Sequence, residues 1–170
     1  KLYTLFNRRR ETPLIKVVNG IQPVYLEATG RLLELAEKRF GKVNNDILLP
    51  LADHIALAAK RMKEGKELPN PFTADIRILF PEEFQTAAEG AKLLEQIAGC
   101  PISEDEIGYI TLHLHSALSD EDVTQSLTMA RLARECIEMI EEGMGGRLEE
   151  SSLGYSRLLS HIRYMLARIR

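Results

Sequence analysis

The chain has 170 residues, of which 45% are hydrophobic and 28% are charged, and its formal net charge is -3 at pH 7. This composition is that of a globular protein with one ordinary domain, or with one small domain and part of another. The slight negative charge gives no general attraction to nucleic acid or to a membrane surface, and no apolar run approaches the ~20 residues that span a bilayer.

The first 21 residues contain a run of three arginines, Arg8–Arg10, and show little periodicity. We expect residues 1–21 to be a linker or arm, since they lack the apolar core of a signal peptide. The two cysteines, Cys100 and Cys136, do not have the spacing of metal ligands. We interpret them as buried apolar groups of a protein that works in the reducing cytoplasm.

Apolar residues recur at helical spacing from residue 23 onward, and no stretch of any length alternates as a strand would. Proline, glycine and capping residues mark the boundaries of the predicted helices. Ser103 and Glu106, for example, have the spacing of a capping box at the start of the fifth helix. The predicted helices cover residues 23–40, the stretch from the caps at 44–46 to Gly65, and residues 73–79, 82–98, 104–118, 124–142 and 150–169.

We therefore predict an all-α protein whose first domain, residues 22–120, is a five-helix bundle. The two helices of residues 121–170 are left over, and an internal repeat accounts for them. His54 and His161 lie 107 residues apart (161 − 54), each in a Leu-x-x-His-Ile frame with an arginine seven residues after the histidine. We interpret residues 121–170 as the first two helices of a second, incomplete copy of the domain.

The first repeated histidine lies on a buried stripe of its helix. His54 comes three residues after Leu51 and four before Ala58, so it shares their side of the helix. Arg61, two turns further on, projects to the same side. Asp53 is adjacent in sequence but lies about a hundred degrees around the helix. It orients His54 only if the backbone or a partner chain brings it round.

The remaining histidines, His113 and His115, form a His-x-His pair on the fifth helix. Residues two apart on a helix point to nearly opposite sides, so these two do not bind one ion together. The sequence also lacks a His-Glu-x-x-His motif, a Cys/His cluster, a nucleophile elbow and a glycine-rich phosphate loop. We accordingly expect no metal, no cofactor and no enzymatic activity.

An isolated histidine on a helical bundle still has one simple chemistry available. Near neutral pH much of the imidazole is unprotonated and nucleophilic, and it can accept a phosphoryl group. The product places close to two negative charges where a neutral ring stood, and a nearby arginine pairs with them. At a subunit interface such a charge acts as an electrostatic switch.

Several stretches of the chain carry a resemblance to a known family. "LADHIALAAKR", "NPF", "LFPEEF" and "DEIGYITLHLHSA", in this order, resemble the first PTS regulation domain (PRD) of the sugar-responsive transcription antiterminators, the BglG/SacY family. "YSRLLSHIRYMLARI" is similar to the opening of the second such domain. "HSALSDED" most resembles the glucose-type antiterminators of Gram-positive bacteria. Together these stretches cover about residues 20 to 170.

The resemblance implies a regulatory protein that dimerises and is phosphorylated on histidines by the phosphotransferase system. The implied phosphoryl donors are HPr and the EIIB domain of the sugar permease, and the implied RNA target binds only through a separate N-terminal domain. The second domain's other histidine is expected beyond Arg170, and His115 matches no family role. The implied phosphorylation sites are His54, His113 and His161, with Asp53, Arg61 and Asn70 as neighbours of the first site.

Two other functions and three fates of the incomplete second domain stay open at this point. Related PRDs occur in DNA-binding activators, and a metal-dependent helical enzyme would use His54, His113 and acidic residues. The two leftover helices expose an apolar face that docks on the first domain, swaps with a neighbouring chain, or results from where the chain is cut.

Overall fold

A computed structural model describes residues 20–99, 101–119 and 121–169, and for Ala98 and Ile169 it describes the backbone alone. The predicted arm lies outside these residues apart from its last two, and so does Cys100. Ile21, at the end of the predicted arm, is buried against the first helices. Cys136 is half-buried and carries a free thiol.

The described residues contain seven α-helices and no strand, which confirms the all-α prediction. A single 3-10 turn, Asn45–Ile47, precedes the second helix. The short third helix and the fifth helix have the predicted bounds. The helices are α1 (Pro23–Phe40), α2 (Leu48–Lys63), α3 (Thr73–Leu79), α4 (Pro81–Ala98), α5 (Glu104–Leu118), α6 (Val123–Met144) and α7 (Leu153–Ile169).

The last two helices differ from prediction at their ends, for identifiable reasons. Asp122 and Gln125 form a reciprocal capping box, so α6 begins at Val123. Gly143, predicted to break the helix, stays inside it, and Gly145 ends it in the left-handed conformation with φ 70°. The Ser152 hydroxyl accepts a hydrogen bond from the Tyr155 amide at 3.1 Å, which places the start of α7 after Ser152.

Four helices, α1, α2, α4 and α5, enclose the main hydrophobic core of the bundle. Leu32 of α1, Leu51 and Ile55 of α2, Leu94 of α4 and Leu114 of α5 are fully or almost fully buried there. The buried stripe of α2 is therefore the one that the sequence predicts. It sets the face of α2 that carries His54 against α5.

The short helix α3 is the centre of a second hydrophobic core, shared with α5, α6 and α7. Ile76 and Leu79 of α3, Ile137 of α6 and Leu159 of α7 are almost completely excluded from solvent. Of the fates left open for the two leftover helices, this chain shows the first, because α6 and α7 dock on the bundle through α3. The site next described lies where α2 meets α5.

Candidate functional site

Helices α2 and α5 bring His54 and His113 together. The two residues are far apart in sequence, yet their ring centroids lie 5.2 Å apart with the ring planes inclined at 45°. On α5, Glu106 and His113 are seven residues apart and so share one face, as His54 and Arg61 do on α2. The two facing stripes therefore place two imidazoles, a carboxylate and a guanidinium in one cluster.

Glu106 joins the two stripes through both of its carboxylate oxygens. Oε2 lies 3.0 Å from His54 Nε2, and Oε1 accepts a hydrogen bond from Arg61 Nη2 at 2.6 Å. The side chain of Glu106 is only 2% exposed. Burial opposes ionisation, but the hydrogen bonds and charges of His54 and Arg61 outweigh it and lower the pKa of Glu106. Glu106 is therefore a buried carboxylate at neutral pH.

The predicted capping box at the start of α5 is only half formed. The Ser103 hydroxyl accepts the Glu106 amide at 3.3 Å, as a capping serine should. The Glu106 side chain does not reach back to Ser103, because both of its oxygens bind His54 and Arg61. The interpretation of Glu106 as a capping residue is wrong in this half, and the residue belongs to the site instead.

His113 is a neutral imidazole in this setting. Burial, together with the neighbouring His54, lowers its pKa from 6.5 to about 4. Among the described residues its ring makes a contact with the His54 ring but has no hydrogen-bond partner. Its nitrogen lone pair is consequently not occupied by a proton or by a protein donor at neutral pH.

The turn between α2 and α3 closes one side of the cluster. Tyr109 of α5 packs its ring 5.8 Å from the His54 ring and donates its hydroxyl to the Pro69 carbonyl at 3.2 Å. Asn70, 4% exposed, accepts the Phe72 amide through Oδ1 at 3.1 Å. Its amide group lies so close to Gly108 of α5 that a side chain there would meet it.

Two buried donors, one at the end of α2 and one in the turn that follows it, have no acceptor. Within the described part of the chain, the buried side-chain nitrogens without a hydrogen-bond partner are Arg61 Nε and Asn70 Nδ2. An unpaired buried donor costs roughly 1–3 kcal/mol, so each of the two calls for an explanation. Both are N–H groups, which suit the oxygens of an anion.

The structure thus unites three of the residues singled out in the sequence and leaves two aside. His54, His113 and Arg61 meet in the cluster, whereas Asn70 packs against Gly108 of α5 and Asp53 is exposed. No ion pair or hydrogen bond of the described residues involves the Asp53 side chain. The expectation that Asp53 is a neighbour of His54 holds only along the chain, since the position beside the imidazole belongs to Glu106.

His115 lies on the opposite side of α5 from His113, as their spacing predicts. Its Nδ1 is 2.9 Å from Glu83 Oε1 of α4, and its ring packs on Phe80 with centroids 4.1 Å apart. Burial opposes ionisation of Glu83, but the hydrogen bond with His115 prevails and lowers the pKa of Glu83. His115 therefore joins α4 to α5 and takes no part in the cluster.

His161 is exposed on the outer face of α7. It lines a shallow depression with five other residues of the same helix, among them Arg157 and Tyr164. The repeated frames agree in burying Ile55 and Ile162. They differ at the histidine, because α2 faces α5, whereas α7 packs its buried stripe on α3 and α6.

Two further findings concern residues 20–99, 101–119 and 121–169. No group of three or more His, Cys, Asp or Glu side chains among them is arranged to hold a metal ion. None of the helices in this part of the chain is both long enough and apolar enough to cross a membrane.

Comparison with known proteins gives one family and several relatives. The model of the PRD domain family matches residues 30–117. The PtsGHI operon antiterminator of Bacillus subtilis (strain 168) is 36% identical over 115 residues, which are 68% of this chain and 41% of that protein. Transcription antiterminator LicT of the same strain is 24% identical over 170 residues, which are 99% of this chain and 61% of that protein.

Among solved structures, the crystal structure of GlcT CAT-PRDI is similar to this chain. The TM-score is 0.58 at 34% sequence identity, and the match covers 61% of this chain and 62% of that one. This chain spans between 41% and 61% of the length of the two curated relatives.

Proposed function

This chain belongs to the PRD domain family, and from that premise we propose that it is the regulatory part of a sugar-responsive transcription antiterminator. In this proposal it is a phosphoryl acceptor and not an enzyme. It works in the cytoplasm as a homodimer and takes phosphoryl groups from HPr and from the EIIB domain of a sugar permease. RNA is bound by a separate N-terminal domain. The names of the two curated relatives support the antiterminator assignment.

The observation that carries the proposal is the pairing of His54 and His113 across α2 and α5 at 5.2 Å between ring centroids. Such close packing of two imidazoles is unfavourable when both are charged. The low pKa of His113, which results from burial and from His54, keeps at least one ring neutral and nucleophilic. The cluster is thus suited to accept a phosphoryl group without a metal or a bound cofactor.

Arg61 and Asn70 supply the groups that a phosphoryl product needs. Arg61 brings a positive charge into the cluster, and its Nε and the Asn70 amide are both buried donors without an acceptor. A phosphoryl group adds close to two negative charges and three acceptor oxygens. We propose that these two donors bind oxygens of the phosphorylated histidine.

Phosphorylation then changes the charge of a cluster that joins α2 to α5. The phosphoryl group repels the Glu106 carboxylate and competes with it for Arg61, so it weakens the present contacts between the two helices. We propose that this charge controls dimerisation. The proposal also divides the chain into two domains. Residues 22–120 form the first PRD, and residues 121–170 form the opening of a second PRD, in which His161 is the first phosphorylation site.

The direct test is phosphoryl transfer to the purified chain. The purified chain is incubated with labelled phosphoenolpyruvate, enzyme I and HPr, with and without the sugar-permease EIIB domain. The labelled histidines are then mapped. We expect label on His54 or His113, and its loss from that region in a His54→Ala, His113→Ala double variant. The His161→Ala variant should retain it. Circular dichroism confirms that each variant is folded.

The oligomeric state is measured on the same samples by light scattering. A change between the unlabelled and the labelled protein supports control of dimerisation. If labelling and oligomeric state of the folded double variant equal those of the wild type, the assignment of His54 and His113 as the sites of the first domain is wrong.

A further inference from the structure

Glu106 holds one nitrogen of the His54 ring from a fixed position. Its amide is bound to Ser103 at the start of α5, one carboxylate oxygen accepts Arg61 Nη2 at 2.6 Å, and the side chain is 2% exposed. The other oxygen is thereby directed at His54 Nε2, 3.0 Å away. The carboxylate is almost completely excluded from water, so His54 is its partner on this side.

An ionised carboxylate only accepts hydrogen bonds. Because Glu106 is ionised, the His54 nitrogen that faces it must carry a proton. Only the neutral imidazole can accept a phosphoryl group, and in that form one nitrogen donates and the other has the lone pair. In neutral His54 the lone pair is therefore on Nδ1. Among the described residues no donor occupies Nδ1, and the ring is partly open, with 18% of the side chain exposed.

We propose that Glu106 is a positioning residue that keeps His54 in its Nε2–H tautomer and directs an incoming phosphoryl group to Nδ1. The transfer part of this inference rests on the function proposed above. The tautomer part does not, since it follows from the geometry of the unphosphorylated protein. The inference also gives the ion pair between Glu106 and Arg61 a role, because Arg61 fixes which carboxylate oxygen meets the ring.

The step requires no proton transfer. The lone pair of His54 Nδ1 forms a P–N bond, while the bond between phosphorus and the donor protein's phosphorylated side chain breaks. The bonding electron pair returns to that side chain. The Nε2 proton stays in place, and the ring gains positive charge as the bond forms. The Glu106 carboxylate, 3.0 Å from Nε2, stabilises that charge, as preorganised charges do in active sites.

His113 offers an internal comparison. Its ring contacts the same cluster, but no carboxylate of the described residues binds either of its nitrogens. Glu106 therefore sets the tautomer of His54 and not that of His113. A change at Glu106 should alter the chemistry of one histidine and leave its neighbour unchanged, which a general loss of structure would not do.

The Glu106→Gln variant tests the proposal directly, because it should invert the tautomer of His54. Arg61 Nη2 still needs an acceptor, so the carbonyl oxygen of the new amide should face Arg61 and its NH2 group should face His54. An NH2 group donates, so His54 Nε2 becomes the acceptor and the proton moves to Nδ1. The variant inverts the tautomer and removes the lone pair from Nδ1.

The tautomer is measured on the full chain, without phosphorylation, by long-range proton–nitrogen correlation NMR near neutral pH. We expect the Nε2–H form of His54 in the wild type and in Glu106→Asp, which keeps a carboxylate, and the Nδ1–H form in Glu106→Gln. The matched control is Glu104→Gln, which removes the same charge two residues earlier, where the side chain is exposed and pairs with Arg77. A wild-type His54 in the Nδ1–H form overturns the proposal, whether or not the Glu106→Gln variant folds.

The position of the phosphoryl group is then read by phosphorus NMR of the labelled protein. The wild type should carry it on Nδ1 of His54. In Glu106→Gln, labelling of His54 should fall by about tenfold or more, since a wrong tautomer in the Ser-His-Asp triad costs up to ~10⁴-fold. Labelling of His113 should persist. Phosphate on Nε2 of wild-type His54 overturns the proposal. Absence of label from both histidines refutes the proposed function, while the NMR result still decides the role of Glu106.

Discussion

Asp75 Oδ2 of α3 and Arg134 Nε of α6 lie 2.9 Å apart, and the side chain of Asp75 is completely buried. The Tyr155 hydroxyl of α7 donates to the other carboxylate oxygen at 3.3 Å. One carboxyl group thus binds both helices that dock on the bundle. Burial raises the pKa of Asp75, while Arg134 and Tyr155 act in the opposite direction. The docking of α6 and α7 therefore depends on the Asp75 carboxylate, whose burial would be costly without Arg134 and Tyr155.

Replacement of Asp75 by Ala should therefore loosen α6 and α7. Without Asp75, Arg134 keeps only its pair with the exposed Glu150, and the Tyr155 hydroxyl loses its acceptor. Leaving such groups unpaired costs about 1–3 kcal/mol. We expect that loss in the free energy of unfolding measured in urea near neutral pH. Amide hydrogen exchange should also become faster in α6 and α7 than in α1 and α2, because the pair joins the former to α3.

The matched control is Arg131→Ala, which removes an exposed i,i+4 pair with Glu135 on the same helix, α6. Such pairs contribute about 0.3–0.5 kcal/mol. Equal losses in Asp75→Ala and Arg131→Ala would show that the buried pair does not stabilise the docking.

The helices of this fold could be predicted because each depends on nearby residues. Proline, glycine and apolar spacing alone place α3 at residues 73–79. The role of α3 could not be predicted in this way, because Asp75 meets Arg134, 59 residues later, and local periodicity contains no information on such pairs. The docking of α6 and α7 is accordingly a result of the structure.

The candidate site, like the fold, could be predicted where it depends on local spacing and not where it depends on contacts between helices. The 3.6-residue period places His54 and Arg61 on one side of α2, and the family resemblance adds His113. Glu106 was missed because its spacing from Ser103 equally fits a capping box, and only the contact between α2 and α5 decides between the two roles. A signal was present in the sequence, since Glu106 and His113 are two helical turns apart on one face.

Glu106→Ala should destabilise the fold in a pH-dependent way. The variant leaves Arg61, whose side chain is 28% exposed, without this carboxylate, at a cost of about 1–3 kcal/mol near neutral pH. The folded-state pKa of Glu106 is lowered below the usual 4.5, so its contribution is complete above that value and is lost as the pH falls through the folded-state pKa. The difference between wild type and variant in urea unfolding should therefore shrink in acid.

The exposed Glu104→Ala variant is the comparison for this measurement, and it should change stability by less than about 0.5 kcal/mol. A difference between wild type and Glu106→Ala that grows as the pH falls below 4.5 would contradict the sign derived from the lowered pKa.

His113 should make the native protein less stable as the pH falls from 6.5 towards 4. Its pKa is lowered to about 4 by burial and by the neighbouring His54, while the unfolded chain takes up the proton near 6.5. Between these values the unfolded state binds more protons, so stability rises with pH. His113→Gln should reduce the slope of unfolding free energy against pH by at most about 1.4 kcal/mol per pH unit.

The control is His161→Gln, which makes the same replacement on the exposed face of α7, and the change of slope should be larger in His113→Gln. Both variants are compared by urea unfolding at several pH values in this range. An unchanged slope in His113→Gln would mean that His113 takes up its proton equally in the folded and unfolded chains.

Gly108→Ala tests how closely the turn at Asn70 approaches α5. A Cβ at position 108 would lie 2.9 Å from Asn70 Nδ2 and 3.3 Å from Thr73 Oγ1, and both of those residues are buried. The turn must move or the side chains must change rotamer, and such overpacking costs about 1–3 kcal/mol. Thermal unfolding should therefore show a lower midpoint, although alanine is the better helix former.

Gly143→Ala separates the cost of overpacking from the gain in helix propensity. Position 143 is inside α6, and an added methyl group there would have nothing within 4 Å of it. There the substitution should stabilise the helix by about 0.5–1 kcal/mol. If Gly108→Ala were stabilising to the same extent, Asn70 would not be held against α5. Its unpaired amide would then have no fixed position from which to bind a phosphoryl oxygen.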